Sequence, residues 1–239
     1  MNVPPVRQHG PVAVYDLLIN PDPPRLEAML AIYAELFPQY AHYVPRMRQR
    51  AGRPAVNEQG HVVHYWLAEV DGQPAGIRTF RYIPKRRCGI AISLAVLPKF
   101  RAVMVNDQRL AVYIIYQCLD QVMQDAREAG NPAVFGMVNE VESERLMQHN
   151  LRSGHIELPI EYVEPIFPDA KNLTRQELLD ALDFSRMHLG FLPNPEYKDR
   201  QYTHHELRDF ALAFLVDHYE IPENHPAVQS MLDSIHSLN

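Results

Sequence analysis

Only two cysteines occur in 239 residues, Cys88 and Cys118. That is too few for a disulfide framework or a cysteine metal site, and both fall in apolar periodic segments that suit buried, reduced thiols. No apolar run approaches the roughly 20 residues that span a bilayer, and the opening Met1-Asn2-Val3-Pro4-Pro5 does not begin a signal peptide. The expectations are therefore a cytoplasmic protein and no membrane partner. Basic residues are in the minority, 23 against 29 acidic ones for a net charge of −6, which argues against a nucleic-acid partner. No histidine spacing resembles a zinc site. His204 and His205 point apart on a helix, and His61 and His64 fall on opposite faces of a strand, so no metal is expected. Internal repeats, low-complexity tracts and a nucleophile-elbow serine are also missing. What remains is ordinary globular composition, 46% hydrophobic and 22% charged, in a chain long enough for one sizeable core or for a domain with an appendage.

The hydrophobic periods order the elements. Residues 12–19 read as a strand closed by Asn20-Pro21-Asp22-Pro23-Pro24. Leu26, Met29, Leu30, Tyr33, Leu36 and Phe37 recur at helical spacing, and a short helix or loop follows over residues 40–53. Residues 61–70, 75–83 and 87–97 are three strands with short links, Asp71-Gly72 and Pro84-Lys85-Arg86, which imply an antiparallel meander. Leu110, Ile114, Cys118, Leu119, Val122 and Ala126 form the strongest helical stripe, with Asn106 or Asp107 as its capping residue and Gly130-Asn131-Pro132 as its stop. A strand over residues 134–138 ends in Asn139, and a helix closes with Leu151-Arg152-Ser153-Gly154-His155. After residue 165 prolines punctuate the chain. Two capping boxes, Thr174 to Glu177 and Thr203 to Glu206, and the Asn224-His225-Pro226 sequence each open a short helix. The class implied is α/β, a mixed sheet with helices on both faces.

The strand ending Leu94-Ala95-Val96-Leu97-Pro98, with Lys99-Phe100-Arg101 after it, and the strand and helix over residues 134–155 resemble the acyl-coenzyme A binding half of a GCN5-related N-acetyltransferase (GNAT). The resemblance covers roughly residues 12–167. It implies a GNAT-like acyl-CoA N-acyltransferase domain over residues 1–167, with a C-terminal helical appendage over residues 168–239 that packs on the core or across a homodimer. It also implies acetyl-CoA or another acyl-CoA as co-substrate and a small-molecule or peptide amine as acceptor. Main-chain atoms of Leu94, Ala95 and Val96 would meet the pantetheine arm. Arg101, Val103, Met104 and Asn106 occupy the pyrophosphate loop, and Asn139 ends the next strand. The loop departs from the family pattern: Met104 and Asn106 stand where glycines let amides approach a phosphate. Asn150 stands where many members carry a tyrosine acid. Glu69, Glu140, Glu142 and His155 are the groups that could take a proton instead, although Glu140 and Glu142 are most simply first-turn helix carboxylates. Arg46, Arg48, Arg50 and Arg53 cluster where the family builds its acceptor entrance. They suit an anionic acceptor or, more simply, a solvated basic face. Two rival readings are a catalytically silent GNAT-fold binding protein and an acyltransferase for a longer acyl chain or an acyl carrier protein.

Overall fold

The computed structural model describes residues 3–131, 133–168 and 174–237. Pro132, named in the expected stop of the long helix, lies outside them. The chain divides into two compact units, Met1–Pro84 with Ala91–Pro132 and Lys85–Ile90 with Ala133–Asn239. Among the described residues no helix is long and apolar enough to cross a membrane.

In the first unit, strands β1 (Arg7–His9), β2 (Val12–Asp16), β3 (Val62–Val70), β4 (Gln73–Ile83) and the Ala91–Val96 part of β5 (Cys88–Val96) lie in sequence order. The pairings β1/β2, β2/β3 and β3/β4 are antiparallel, as the short links require. Asp71 and Gly72 take φ of 50° and 73°, the left-handed pair that a tight hairpin needs. Side chains alternate across the sheet. Val63, Tyr65, Leu67 and Ile77 pack with Met29, Leu30 and Tyr33 of α1 (Pro23–Leu36) and Met47 of α2 (Val44–Ala51). His64, by contrast, reaches Asp125 of α3 (Leu110–Glu128).

The Asn106 and Asp107 capping expectation is corrected. These residues take φ of 48° and 61° at the tip of a two-stranded hairpin, β6 (Met104–Val105) with β7 (Gln108–Arg109). Their backbone is spent on the turn, and α3 instead starts from Arg109 with no side-chain cap.

The second unit is built on β8 (Gly136–Val141), which includes Asn139 and Glu140 within the strand rather than at its mouth. The expectation that Glu140 is a first-turn helix carboxylate is corrected accordingly, because α4 (Glu144–Arg152) begins four residues later with Ser143 as its cap. Beyond β9 (Ile156–Glu157) and β10 (Tyr162–Ile166), helix α5 (Arg175–Asp180) follows. Next comes β11 (Asp183–Pro193), which pairs antiparallel with β8, β9 and β10. The stretch after residue 168 is therefore not purely helical. A glycine and a terminal proline hid this strand. Gly190 is needed because a Cβ there would stand 2.8 Å from Asn139 Oδ1. Helices α6 (His204–Leu215) and α7 (Pro226–His236) follow, and both expected capping boxes form. Phe210 and Phe214 of α6 are fully buried, and Phe210 stacks on Phe191 of β11 at 4.6 Å.

Candidate functional site

The first unit gathers Leu94, Ala95, Val96 and Arg101 at the end of β5. Leu97 N–H donates to Ala75 O at 2.9 Å, and Gly76 lets β4 approach so closely that a Cβ would meet Ala95 O at 2.8 Å. Arg101 is exposed, and its Nε donates to Val96 O at 3.1 Å. One nitrogen thus orients the guanidinium while its two Nη groups stay available. Arg109 Nη1 donates to Arg101 O at 3.1 Å, bringing a second exposed guanidinium to the same turn. Arg109 is the residue preceding the first turn of α3. Val103 O accepts from Leu110 N at 3.0 Å, which leaves the Ala111 and Val112 amides as first-turn donors with no intrahelical acceptor. Met104 is 55% exposed on the hairpin, and Asn106 is exposed at its tip. The first-turn amides of α3 with two exposed arginines beside them suit an anion. Sequence reading missed Arg109 because arginine is not a capping residue type; its place just before the apolar stripe was the available signal.

Two buried tyrosines, Tyr33 and Tyr65, lie in the core of the first unit. Tyr33 of α1 hydrogen-bonds Ser93, and burial pushes its hydroxyl up to about 12 against that bond, with Tyr43, Tyr40 and Tyr65 adding to the rise. Burial also raises the Tyr65 hydroxyl, opposed by the guanidiniums of Arg81, Arg50 and Arg46.

Of the two carboxylates singled out from sequence, Glu69 is 6% exposed and gripped by Arg25 through Nε at 2.9 Å and Nη2 at 3.4 Å. Arg25 is itself held by Asp22 at 2.7 Å and stacks over Tyr15 at 3.7 Å. Such a grip commits Glu69 to holding α1 on the sheet. Glu140, in the second unit, accepts from Tyr162 Oη at 2.5 Å, and the single Tyr219 hydroxyl proton is shared between Glu140 at 2.7 Å and Glu164 at 3.2 Å. Burial first, then the Glu164 charge, lifts Glu140 to about 8, against the pull of the two hydroxyls. It therefore holds its proton at neutral pH.

Asn139 neighbours Glu140 on the other face of β8, and its buried Oδ1 has no hydrogen-bond partner among the described residues. Asn150 contributes its carbonyl to the end of α4, accepting from Ser153 N at 2.8 Å and from His155 N at 3.2 Å. Of the remaining candidates, His155 is buried, with Nδ1 3.2 Å from the same carbonyl. No group of three or more potential metal ligands occurs among the described residues.

No protein-family model and no curated protein matches the chain. Among solved structures it is similar to an acetyltransferase from Streptococcus agalactiae, at 13% identity and a TM-score of 0.47 over 76% of this chain and 99% of that one. It is also similar to an acetyltransferase of the GNAT family from Streptococcus pneumoniae, at 12% identity and 0.46 over 77% and 99%. A third is the PaiA N-acetyltransferase from Thermoplasma acidophilum in complex with coenzyme A, at 11% identity and 0.42 over 75% and 97%.

Proposed function

We propose that the protein is a GNAT-type N-acyltransferase that takes an acetyl or other acyl group from a coenzyme A thioester to an amine. The observation that carries this reading is the uncapped start of α3 with Arg101 and Arg109 beside it. Together they match a pyrophosphate in charge and donor chemistry without the glycines whose lack the sequence exposes. Arg101 and Arg109 would hold the phosphates with the Ala111 and Val112 amides, and the backbone of Leu94 to Val96 would line the pantetheine arm. The thioester, when bound, supplies an activated carbonyl. The chain's own contribution is to fix an amine against it. Orientation of this kind can supply much of the rate of an amine acylation, so the absence of a tyrosine at Asn150 is compatible with turnover.

Calorimetry with acetyl-CoA tests the site. Arg101→Ala and Arg109→Ala should each weaken binding about tenfold, the worth of one charge-assisted hydrogen bond, and the melting temperature of the unaltered protein should rise with acetyl-CoA concentration. Equal affinity in both variants would remove the arginines from the site. No response to any acyl thioester would sink the transferase reading.

A further inference from the structure

A carboxylate leaves water at little cost only where a cation or enough donors surround it. Glu140 and Glu164 lack the cation: among the described residues, the charged group acting on Glu140 is Glu164, and the one acting on Glu164 is Glu142. The two stand on β8 and β10 with β11 between them. Glu140 pairs with Leu189, Tyr162 with Met187 and Glu164 with Ser185, so all three side chains rise on one face. Tyr219 reaches that face from the turn after α6. The buried residues of α6 and α7 are all apolar, and the rings of Phe167, Phe214 and His218 lie 6.0, 6.4 and 4.7 Å from that of Tyr219.

The protons of this group can be counted. Three oxygen–oxygen contacts join it: Tyr162 Oη to Glu140 Oε1 at 2.5 Å, Tyr219 Oη to Glu140 Oε2 at 2.7 Å and Tyr219 Oη to Glu164 Oε1 at 3.2 Å. Each full hydrogen bond needs one proton, and the two hydroxyls supply two. A third, on the Glu140 carboxyl, completes the chain, because Glu140 then donates to Tyr219 and Tyr219 donates to Glu164. Burial and the neighbouring carboxylates keep both phenols protonated, so the carboxyl is the group that titrates. Without the third proton, two carboxylates compete for one donor and repel each other. The strands are fixed by their ladders to β11, whereas the turn bonds back to its own helix. Tyr219 N and Ile221 N donate to Phe214 O and Leu215 O of α6, both at 2.9 Å, and the Tyr219 hydroxyl ties the turn to the strands.

We propose that Glu140, Tyr219 and Glu164 are a proton-operated latch on the turn between α6 and α7, closed while one carboxyl holds a proton and open once that proton passes to water. Opening lets water reach both carboxylates, which relieves their desolvation and their repulsion. The latch belongs to the second unit and does not depend on the acyltransferase reading.

Hydrogen–deuterium exchange of the full chain, read by mass spectrometry from about pH 6 to 9.5 and corrected for the intrinsic pH dependence of exchange, tests it. Peptides over residues 216–225 should lose protection about tenfold or more across a midpoint near pH 8, while peptides over β3 and β4 keep theirs. Glu140→Gln sets a permanent amide donor against Tyr219 and still accepts from Tyr162, so residues 216–225 should stay protected throughout. Glu164→Gln, at a partly exposed position, should do the same by donating to Tyr219, and it gives the reading if Glu140→Gln does not fold. Tyr219→Phe should leave the turn unprotected at both ends of the range. Four results would each overturn the latch: protection over residues 216–225 that ignores pH in the unaltered protein, a fall that persists in a folded glutamine variant, a fall shared equally by β3 and β4, or Tyr219→Phe as protected as the unaltered chain.

Discussion

Two buried ionisable groups tie stability to pH, in different windows. His64 is fully buried, with Nδ1 2.5 Å from Asp16 Oδ2 and Nε2 2.9 Å from Asp125 Oδ2, and it stacks on Phe80 at 4.5 Å. Trp66 Nε1 also donates to Asp16, and Gln121 to Asp125. Burial alone would lower the imidazole, but the bonds to Asp125 and Asp16 outweigh it and raise it to about 9. A folded pKa above the unfolded one stabilises the protein below about 6.5 and loses that contribution as pH rises through 9; the shift corresponds to about 3 kcal/mol. Glu140 has the same sign at lower pH, because the folded state keeps its proton from about 4.5 up to about 8. Denaturation midpoints should therefore fall from about pH 4.5 to 9, and His64→Gln should remove the part of the slope above pH 8, where Glu140 no longer contributes. His64→Gln should also cost about 3 to 5 kcal/mol, since it leaves two buried carboxylates without the cation between them. Glu140→Gln should instead flatten the profile between pH 5 and 8. An unaltered slope in either variant would reject that residue as its source. Sequence reading could not foresee the triad, because the partners of His64 lie 48 and 61 residues away.

At the scale of elements, periodicity is legible wherever one face is buried. The stripe of α3 and the capping boxes of α5 and α6 form where their patterns indicate, and β3 and β4, buried on both faces, form where apolar runs lie between turn signals. The misses share a cause: backbone geometry that no period encodes. Asn106 and Asp107 look like helix caps in one dimension but are the left-handed pair of a hairpin turn. The two interpretations give opposite signs on substitution. In the turn, Asp107→Gly should stabilise the protein by some tenths of a kcal/mol, because glycine takes positive φ without penalty, and Asp107→Val should destabilise it by about 1 to 2 kcal/mol. As a cap, Asp107 would lose stability on either change. Thermal denaturation decides between them. The anion site followed the same divide: Arg101 was legible from its motif position, and Arg109 emerged only once the hairpin put it before α3.

For the molecule as a whole, the sequence after residue 168 behaves as core rather than trimming. The second unit depends on β11, which pairs with β8, β9 and β10 at once, so removing it deprives three strands of their ladder partner. The same cut removes Phe210 and Phe214, which cover Phe191 and Tyr162, together with Asp209 and Asp217. Those two carboxylates hold Arg86 at 2.7 and 2.8 Å, and the cut removes both ion pairs. A marginal stability of about 5 to 15 kcal/mol does not survive the sum of these losses. Truncation after Pro168 should therefore give aggregated or molten protein that binds a hydrophobic dye and has lost its near-ultraviolet circular dichroism. A soluble, monodisperse truncation with the melting profile of the full chain would show instead that β8 and β10 hold their places without β11.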